Sequence, residues 1–414
     1  MTDSNKDKDH NPSQQSLKGD ASPMPTDKAQ GKTIVLSAGG TGGHFFPAKS
    51  LAADLLARGF HVHIMTDKRG ERYKEQLDSN VEVSVLSSGT MKPGLIGKVK
   101  GGIALLTGLV QSFLKLRKIK PHVVVGFGGY PSFPPLFMAQ KLKIPTVLHE
   151  QNSVLGKANH MLAHKAYRIA LSLPKVFGLD EEDRIRSVVT GNPVRSDIAA
   201  LSHQAYKAPD SSGEGSFNIL VLGGSQGAQV FSDVLPSALA LIPESLRQKL
   251  FIVQQCREDD IERAKSKYQE IGCADHVVLK TFIDNIADEL SKAHLLIGRS
   301  GASTVAEVAT AGRPAIFVPY PHHADQQQKM NALTIAEKGG AWIMEEGKDF
   351  TAETLAQRLE IMMKTPQTLF EAAEKARGCG RPDAARKLGN LVTAVAEGWD
   401  QDPSILDMMK GNQA

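Results

Sequence analysis

Short apolar runs rich in β-branched residues alternate along this chain with segments whose apolar positions recur every three or four residues. The first run, Thr33-Ile34-Val35-Leu36, ends in glycines, and residues 47–58 then carry a helical pattern closed by Gly59. His61-Val62-His63-Ile64-Met65, residues 81–86, His122-Val123-Val124-Val125 and Pro145-Thr146-Val147-Leu148 continue the strand series. After a stretch of linker composition at 207–216 the pattern restarts with Asn218-Ile219-Leu220-Val221-Leu222, again ending in glycines. Further strands are expected at 250–254, 277–279, 294–297 and 315–318, with helices at 259–271 and 304–311. This alternation predicts parallel βαβ units, and its restart predicts two doubly wound α/β domains in tandem. Ligands bind such sheets beyond the carboxyl ends of the strands, so two facing edges would form one interdomain cleft.

Composition narrows the picture. The 414 residues are 41% hydrophobic and 23% charged, enough chain for two separate cores. A net charge of +4, evenly spread, argues against nucleic acid, which needs a concentrated basic patch. Cys256, Cys273 and Cys379 form no CxxC pair and have no histidine at metal-ligand spacing, which suits packing residues in a reducing compartment. Residues 1–31 are polar and almost without large apolar side chains, so a disordered tail is expected there and a secretory signal is not. No apolar run reaches the roughly 18 residues of a membrane span. The segment from Ile103 to Leu116 is apolar, with Lys98 and Lys100 before it and Lys115, Arg117, Lys118 and Lys120 around its end. Such a segment suits either an anionic membrane surface or a buried helix whose basic end complements the dipole, and the residues alone lean to the latter.

The chemistry-bearing residues cluster at the strand ends. Residues 39–43 hold four glycines in five positions, Gly223, Gly224 and Gly227 repeat the theme, and Gly126, Gly128 and Gly129 form a third cluster before Tyr130. Glycine permits close ligand approach, and the helix start that follows offers free N–H groups to phosphate. None of the loops matches GxxxxGK[ST], which argues against a P-loop NTPase. A dinucleotide-binding reading rests on Gly40-Thr41-Gly42 and on Asp67 at the end of the second strand, but Phe46 stands where the last glycine belongs. His149-Glu150-Gln151-Asn152 and the segment Thr190-Gly191-Asn192-Pro193-Val194-Arg195 place polar groups directly after strands, with Arg195 suited to a phosphate. In Arg299-Ser300-Gly301-Ala302-Ser303-Thr304, followed by Glu307, the carboxylate suits ribose hydroxyls; a capping box of Ser303 or Thr304 with Glu307 is the plainer alternative. His322, His323 and Asp325 suggest a metal, whereas the glutamines at 326–328 suit sugar hydroxyls. Asp7-Lys8-Asp9 and Asp400-Gln401-Asp402 lie in polar termini and are read as chance.

Taken in order, GGTGGH (39–44), GFGGYPS (126–132), HEQN (149–152), TGNPVR (190–195), GGSQGA (223–228), RSGAST with Glu307, and DQQQ (325–328) resemble the MurG family of peptidoglycan glycosyltransferases. The resemblance covers roughly residues 32–395. It implies the GT-B fold: an acceptor- and membrane-binding Rossmann-like domain at 32–200, a donor-binding one at 201–385, and a C-terminal helix at 386–400 packed back on the first. It implies inverting transfer of N-acetylglucosamine from UDP-GlcNAc to the 4-hydroxyl of the muramoyl sugar of lipid I, giving lipid II, with no cofactor and no bound metal. Implied donor contacts are Thr41, Gly42, Gly43, Asn152, Arg195, Ser225, Ile283, Ala302, Ser303, Thr304, Glu307, Gln327 and Gln328. Gly40, Gly128, Gly129 and Tyr130 would face the acceptor diphosphate. The resemblance also turns the region from Ile103 to Leu116 into a membrane-docking patch. It implies a peripheral location on the cytoplasmic face of the bacterial inner membrane, roles in cell shape and division, and cell-wall synthesis proteins as partners. Gln254-Gln255-Cys256 departs from the His-Gln-Ser or His-Gln-Thr of relatives.

His44, at the end of the first glycine loop, is the candidate general base, because imidazole has a suitable pKa; a role in orienting the loop is the alternative. A non-catalytic nucleotide-sugar-binding protein and an NAD-dependent oxidoreductase are the rival functions.

Overall fold

The computed structural model describes residues 31–89, 94–210, 215–224, 228–323 and 325–401. Nearly all of the tail at 1–31, the middle of the 207–216 linker, and Ser225 lie outside the described residues.

The first sheet comprises β1 (Thr33–Ser37), β2 (His61–Thr66), β3 (Val81–Val85), β4 (Val123–Gly126), β5 (Thr146–Glu150), β6 (Arg168–Leu171) and β7 (Ser187–Val189), in the order β3-β2-β1-β4-β5-β6-β7. The second comprises β8 (Phe217–Leu222), β9 (Leu250–Gln255), β10 (Val277–Lys280), β11 (Leu295–Gly298), β12 (Ala315–Phe317) and β13 (Ala341–Ile343), in the order β10-β9-β8-β11-β12-β13. Every neighbour pairing is parallel. These are two doubly wound sheets in the GT-B arrangement, and strand order reverses between β1 and β4 and between β8 and β11. The glycine loops leave those strands, so they stand at the switch points.

The central strands are largely apolar because both faces of each sheet are covered there. In β1, Ile34 and Leu36 pack in one cluster with Leu51 and Leu55 of helix Gly42–Ala57, while Val35 packs in another with Leu116 of helix Leu95–Ile119. Two connections join the domains. Val194, Ile198 and Leu201 already lie in the core of the second domain, so the chain leaves the first one before residue 200. It returns through helix Ala384–Glu397, whose Leu388, Leu391, Val392 and Val395 pack on the first sheet. The crossings touch: a Cβ on Gly191 would lie 2.8 Å from the Arg381 Cβ and 2.9 Å from that of Ala384.

Helix Leu95–Ile119 buries one face, with Gly108, Ser112 and Leu116 turned inward. Its other face exposes Val99, Ile103, Leu106, Val110 and Leu114, each at least 55% accessible. Spacings of four, three, four and four make these one stripe on a 3.6-residue helix. By length and composition Gly97–Ile119 is apolar enough to cross a membrane, with mean hydropathy 1.2, which no continuous apolar run in the sequence had signalled.

Candidate active site

The carboxyl ends of the two sheets face each other across two cavities. The larger, 580 Å³, collects Gly42, Gly43, Arg195, Ile283, Ser303, Thr304 and Glu307 from the expected donor set, and adds Phe46, Arg72, Tyr73, Gly224 and Gln255. Two helix N-termini meet here. Helix Gly42–Ala57 begins five residues before Pro47, where the sequence pattern had it start, so the last glycines of the loop form its first turn. Pro47 has no N–H to offer the carbonyl four residues back, that of Gly43. That carbonyl instead accepts from Ser303 Oγ of the second domain at 3.3 Å. The facing helix, Ala302–Ala311, has Gly301 as its N-cap, so neither Ser303 nor Thr304 caps it and the capping-box reading fails. Neither helix has a side-chain cap or an acidic residue in its first turn. Both therefore direct unpaired N–H groups and a positive dipole end at the cleft.

Arg195 crosses the same cavity. Its guanidinium lies 5.1 Å above the Phe46 ring, and its Nη2 is 3.6 Å from Glu307 Oε1. Burial pushes the Glu307 carboxyl up to about 7, with Arg195 opposing the shift and Asp197 adding to it. Burial, then the neighbouring Arg195, lowers the Lys49 ammonium.

The smaller cavity, 390 Å³, is lined by His44, Gly128, Gly129, Tyr130, Asn152, Gln327, and by His322, His323 and Asp325. Among the described residues no group of three or more His, Cys, Asp or Glu is arranged to hold a metal ion. Gly128 and Gly129 both have φ of +76°, and a Cβ on Gly129 would lie 3.2 Å from the His44 ring. Glycine is thus required both by the turn and by the histidine beneath it. Burial lowers the His44 pKa, against the stabilisation of its protonated form by Gln151 and the Phe127 carbonyl.

Several expected contacts are arranged differently. Gly40 lines neither cavity: a Cβ there would sit 2.3 Å from Asp67 Oδ1 and from the Gly70 nitrogen, so this glycine admits the Asp67–Gly70 turn. Asp67 is spent on that turn, bonding Arg69 Nε at 2.8 Å, Gly70 N–H at 3.3 Å and Ser88 Oγ at 3.4 Å, which removes the ribose acid of the oxidoreductase reading. Thr41 is the N-cap residue of its helix and lines neither cavity. Ala302 faces a third cavity of 270 Å³, on the side of its helix away from Thr304. Gln328 Oε1 accepts from the Tyr320 N–H at 2.9 Å. Asn152 Oδ1 accepts from Asn331 at 3.1 Å, and Asn331 also takes the Ser153 N–H at 2.8 Å, which ties the domains together. Glu150, buried and raised by burial, is held by four donors: the Asn152 N–H and Nδ2, the Gly156 N–H and Asn159 Nδ2. It organises the loop and has no lone pair left for proton transfer.

The chain matches the glycosyltransferase family 28 N-terminal domain over residues 34–171 and the C-terminal domain of the same family over 218–388. It is 48% identical to the UDP-N-acetylglucosamine–N-acetylmuramyl-(pentapeptide) pyrophosphoryl-undecaprenol N-acetylglucosamine transferase of Rhodospirillum centenum, over 88% of this chain and 94% of that one. It is 45% identical to the transferase of the same name from Rhodospirillum rubrum, over 88% and 92%. The crystal structure of Acinetobacter baumannii MurG superposes with a TM-score of 0.68 at 31% identity, covering 87% of this chain and 99% of that one. The chain belongs to the family 28 glycosyltransferases of the MurG type.

In this family 28 cleft, sequence reasoning missed Phe46, Arg72 and Tyr73. Arg72 and Tyr73 follow a short strand in a segment with no recognisable pattern, and Phe46 reads as a core residue. The departure at Gln254 is also explained. Gln254 is fully buried, accepts from Tyr268 Oη at 2.6 Å and donates to Ser232 Oγ at 3.1 Å, while Gln255 is the residue that reaches the cavity.

Proposed function

We propose that the cleft carries out the transfer for which the relatives are named: N-acetylglucosamine moves from UDP-GlcNAc onto the lipid-linked muramyl-pentapeptide acceptor, lipid I, giving lipid II. The observation that carries this reading is the meeting of two uncapped helix N-termini with Arg195 in one cavity. A diphosphate is the chemistry such a place suits. The uracil lies against Ile283, the ribose against Glu307, the diphosphate at Ser303 and Thr304, and the sugar beside Gln327, with the N–H groups of Gly42 and Gly43 across the cleft. The acceptor diphosphate lies at Gly128, Gly129 and Tyr130.

Transfer is a single displacement. His44 takes the proton of the muramoyl 4-hydroxyl, that oxygen bonds to the anomeric carbon, and the bond from this carbon to UDP breaks, with inversion. Charge developing on UDP is met by the N–H groups of the Ala302 helix start and by Arg195. These positive groups belong to the chain itself, so turnover is expected to persist in EDTA.

The exposed stripe from Val99 to Leu114, with Lys98, Lys100, Arg117 and Lys118 around it, suits an anionic membrane surface. We place the enzyme there, peripherally on the cytoplasmic face of the inner membrane, where a lipid-anchored acceptor is found.

The test is transfer from labelled UDP-GlcNAc to a short-chain lipid I analogue, with and without EDTA, by wild type and by His44→Ala. A disaccharide product formed in EDTA and a loss of about 10²–10⁴-fold in kcat for His44→Ala are expected. Clear UDP-GlcNAc binding with no product would overturn the reaction; near-full turnover of His44→Ala would overturn the base.

A further inference from the structure

His44 is the first member of a hydrogen-bonded chain that ends on the interdomain connection. His44 Nδ1 lies 3.3 Å from Gln151 Oε1, Gln151 Nε2 lies 2.9 Å from His149 Nδ1, and His149 Nε2 lies 3.0 Å from the Gly191 carbonyl. The direction of every bond follows from groups that can only accept. The Gly191 carbonyl accepts, so His149 Nε2 carries the proton and its Nδ1 bears the lone pair. Ser172 Oγ, 3.4 Å from the same Nε2, is compatible because a hydroxyl also accepts. Gln151 Nε2 also lies 3.2 Å from the His149 backbone carbonyl, a second pure acceptor, so the amide orientation is fixed with its oxygen toward His44. That oxygen accepts from His44 Nδ1–H, which leaves the lone pair of His44 on Nε2, the atom beneath Gly129.

We infer that Gln151 and His149 are positioning residues that hold His44 in the tautomer whose Nε2 is free to take a proton. This inference rests on the proposed role of His44 as base. His149 is fully buried and its pKa is lowered to about 4, chiefly by burial, so it stays neutral and the chain of bonds keeps one polarity at working pH. The opposite tautomer of His44 would turn the Nδ1 lone pair toward the lone pairs of Gln151 Oε1. The Phe127 carbonyl favours the ring once it is protonated, which is the state after proton uptake. Arg69 acts on the ring through its charge, and Glu150, Lys157, His322, His323 and Asp325 line the same cavity, but none is hydrogen-bonded to it in the structure. The far anchor, Gly191, has φ of +85° and packs against Arg381 and Ala384 where the two connections touch. The tautomer is therefore anchored at the connection between the domains and passed to His44 through Gln151, which lines the cavity beside it.

The decisive measurement is ¹⁵N NMR of the histidine-labelled full chain, with the His44 signals assigned by their loss in His44→Ala. Wild type should show a protonated Nδ1 and an unprotonated Nε2; the reverse would overturn the inference with no need of a variant at Gln151. Gln151→Met keeps the volume and removes both amide groups. It should give a mixture of tautomers and a kcat lower by about tenfold or more, with KM for UDP-GlcNAc within about twofold. Gln151→Glu restores an acceptor to Nδ1–H and adds a charge, so it should recover the tautomer and move the acidic limb of kcat upward by about 1 unit or more. An unchanged tautomer and an unchanged kcat in Gln151→Met would overturn the relay. A shifted tautomer with full turnover would instead uphold the relay and remove His44 as the base.

Discussion

Glu307 should show opposite effects on folding and on donor binding. Its carboxyl is raised from 4.5 to about 7, chiefly by burial, with Arg195 opposing and Asp197 reinforcing the shift. Between those two values the folded chain holds a proton that the unfolded chain has lost. Stability therefore falls as pH rises through that window, by roughly 3 kcal/mol in full, and the loss is complete above about pH 7. Donor binding runs the other way, because ribose hydroxyls donate to the ionised carboxylate. At pH 6 only about one molecule in eleven is ionised, and with the neutral form binding about a tenth as well, UDP-GlcNAc should bind about fivefold more weakly at pH 6 than at pH 8. The sugar nucleotide itself does not titrate in this range. Glu307→Gln cannot ionise: it should be more heat-stable than wild type at pH 8 and close to it near pH 5. It should bind UDP-GlcNAc about tenfold more weakly at pH 8, with almost no pH dependence, since a neutral acceptor replaces a charged one. Calorimetric titration at pH 6, 7 and 8 and thermal unfolding at pH 5 and 8 read both signs. A wild-type Kd that is flat from pH 6 to 8 would refute the assignment of Glu307 to the ribose, and equal stabilities at pH 8 would refute the buried-carboxylate argument itself.

Two further outcomes follow from the geometry. Leu106→Asp combined with Val110→Asp places two charges in the exposed stripe, and binding to anionic vesicles in a flotation assay should fall by about tenfold or more while UDP-GlcNAc affinity stays unchanged; full vesicle binding would remove the docking face. Phe113 is a poorer site for this test, because it is half-buried and carries Arg117 over its ring at 5.6 Å. Asn331→Ala leaves the buried Ser153 N–H without its acceptor and cuts the tie to Asn152, so thermal unfolding should show a loss of about 1–3 kcal/mol. An unchanged unfolding temperature would mean that the domains do not depend on that tie.

Much of the architecture was legible because buried parallel strands are apolar on both faces and end in glycine. β1, β4, β8 and β11 announce themselves in this way, while β2 and β5 are legible from their β-branched cores alone. β6 opens on Arg168, and β7 and β13 are three residues long without the wholly apolar run that makes the equally short β12 legible. The start of helix Gly42–Ala57 was misplaced for an instructive reason. Proline is commonest at a helix start, and glycines read as a turn, yet here the glycines begin the helix and Pro47 lies inside it. The cost of the missing N–H is offset across the cleft by Ser303, a partner 260 residues away that no local pattern can reveal.

The tetrapeptide after β5 shows the same limit at the level of chemistry. As sequence, His149-Glu150-Gln151-Asn152 is a run of polar residues at a strand end, and any of the four is a fair candidate for contact with substrate. In the fold each has a different task. Glu150 gathers the donors of its own loop, Asn152 meets Asn331 of the other domain, and His149 reaches back to the Gly191 carbonyl. Only Gln151 extends forward, to His44. What separates these roles is the identity of the partner, and the partners come from Gly156, Asn331, Gly191 and the first glycine loop, segments far apart in sequence. Motif order could therefore show where the site is and which family the chain belongs to. Which polar group in that site is free to act depends on which others are already bonded, and that is decided only when the two domains fold together.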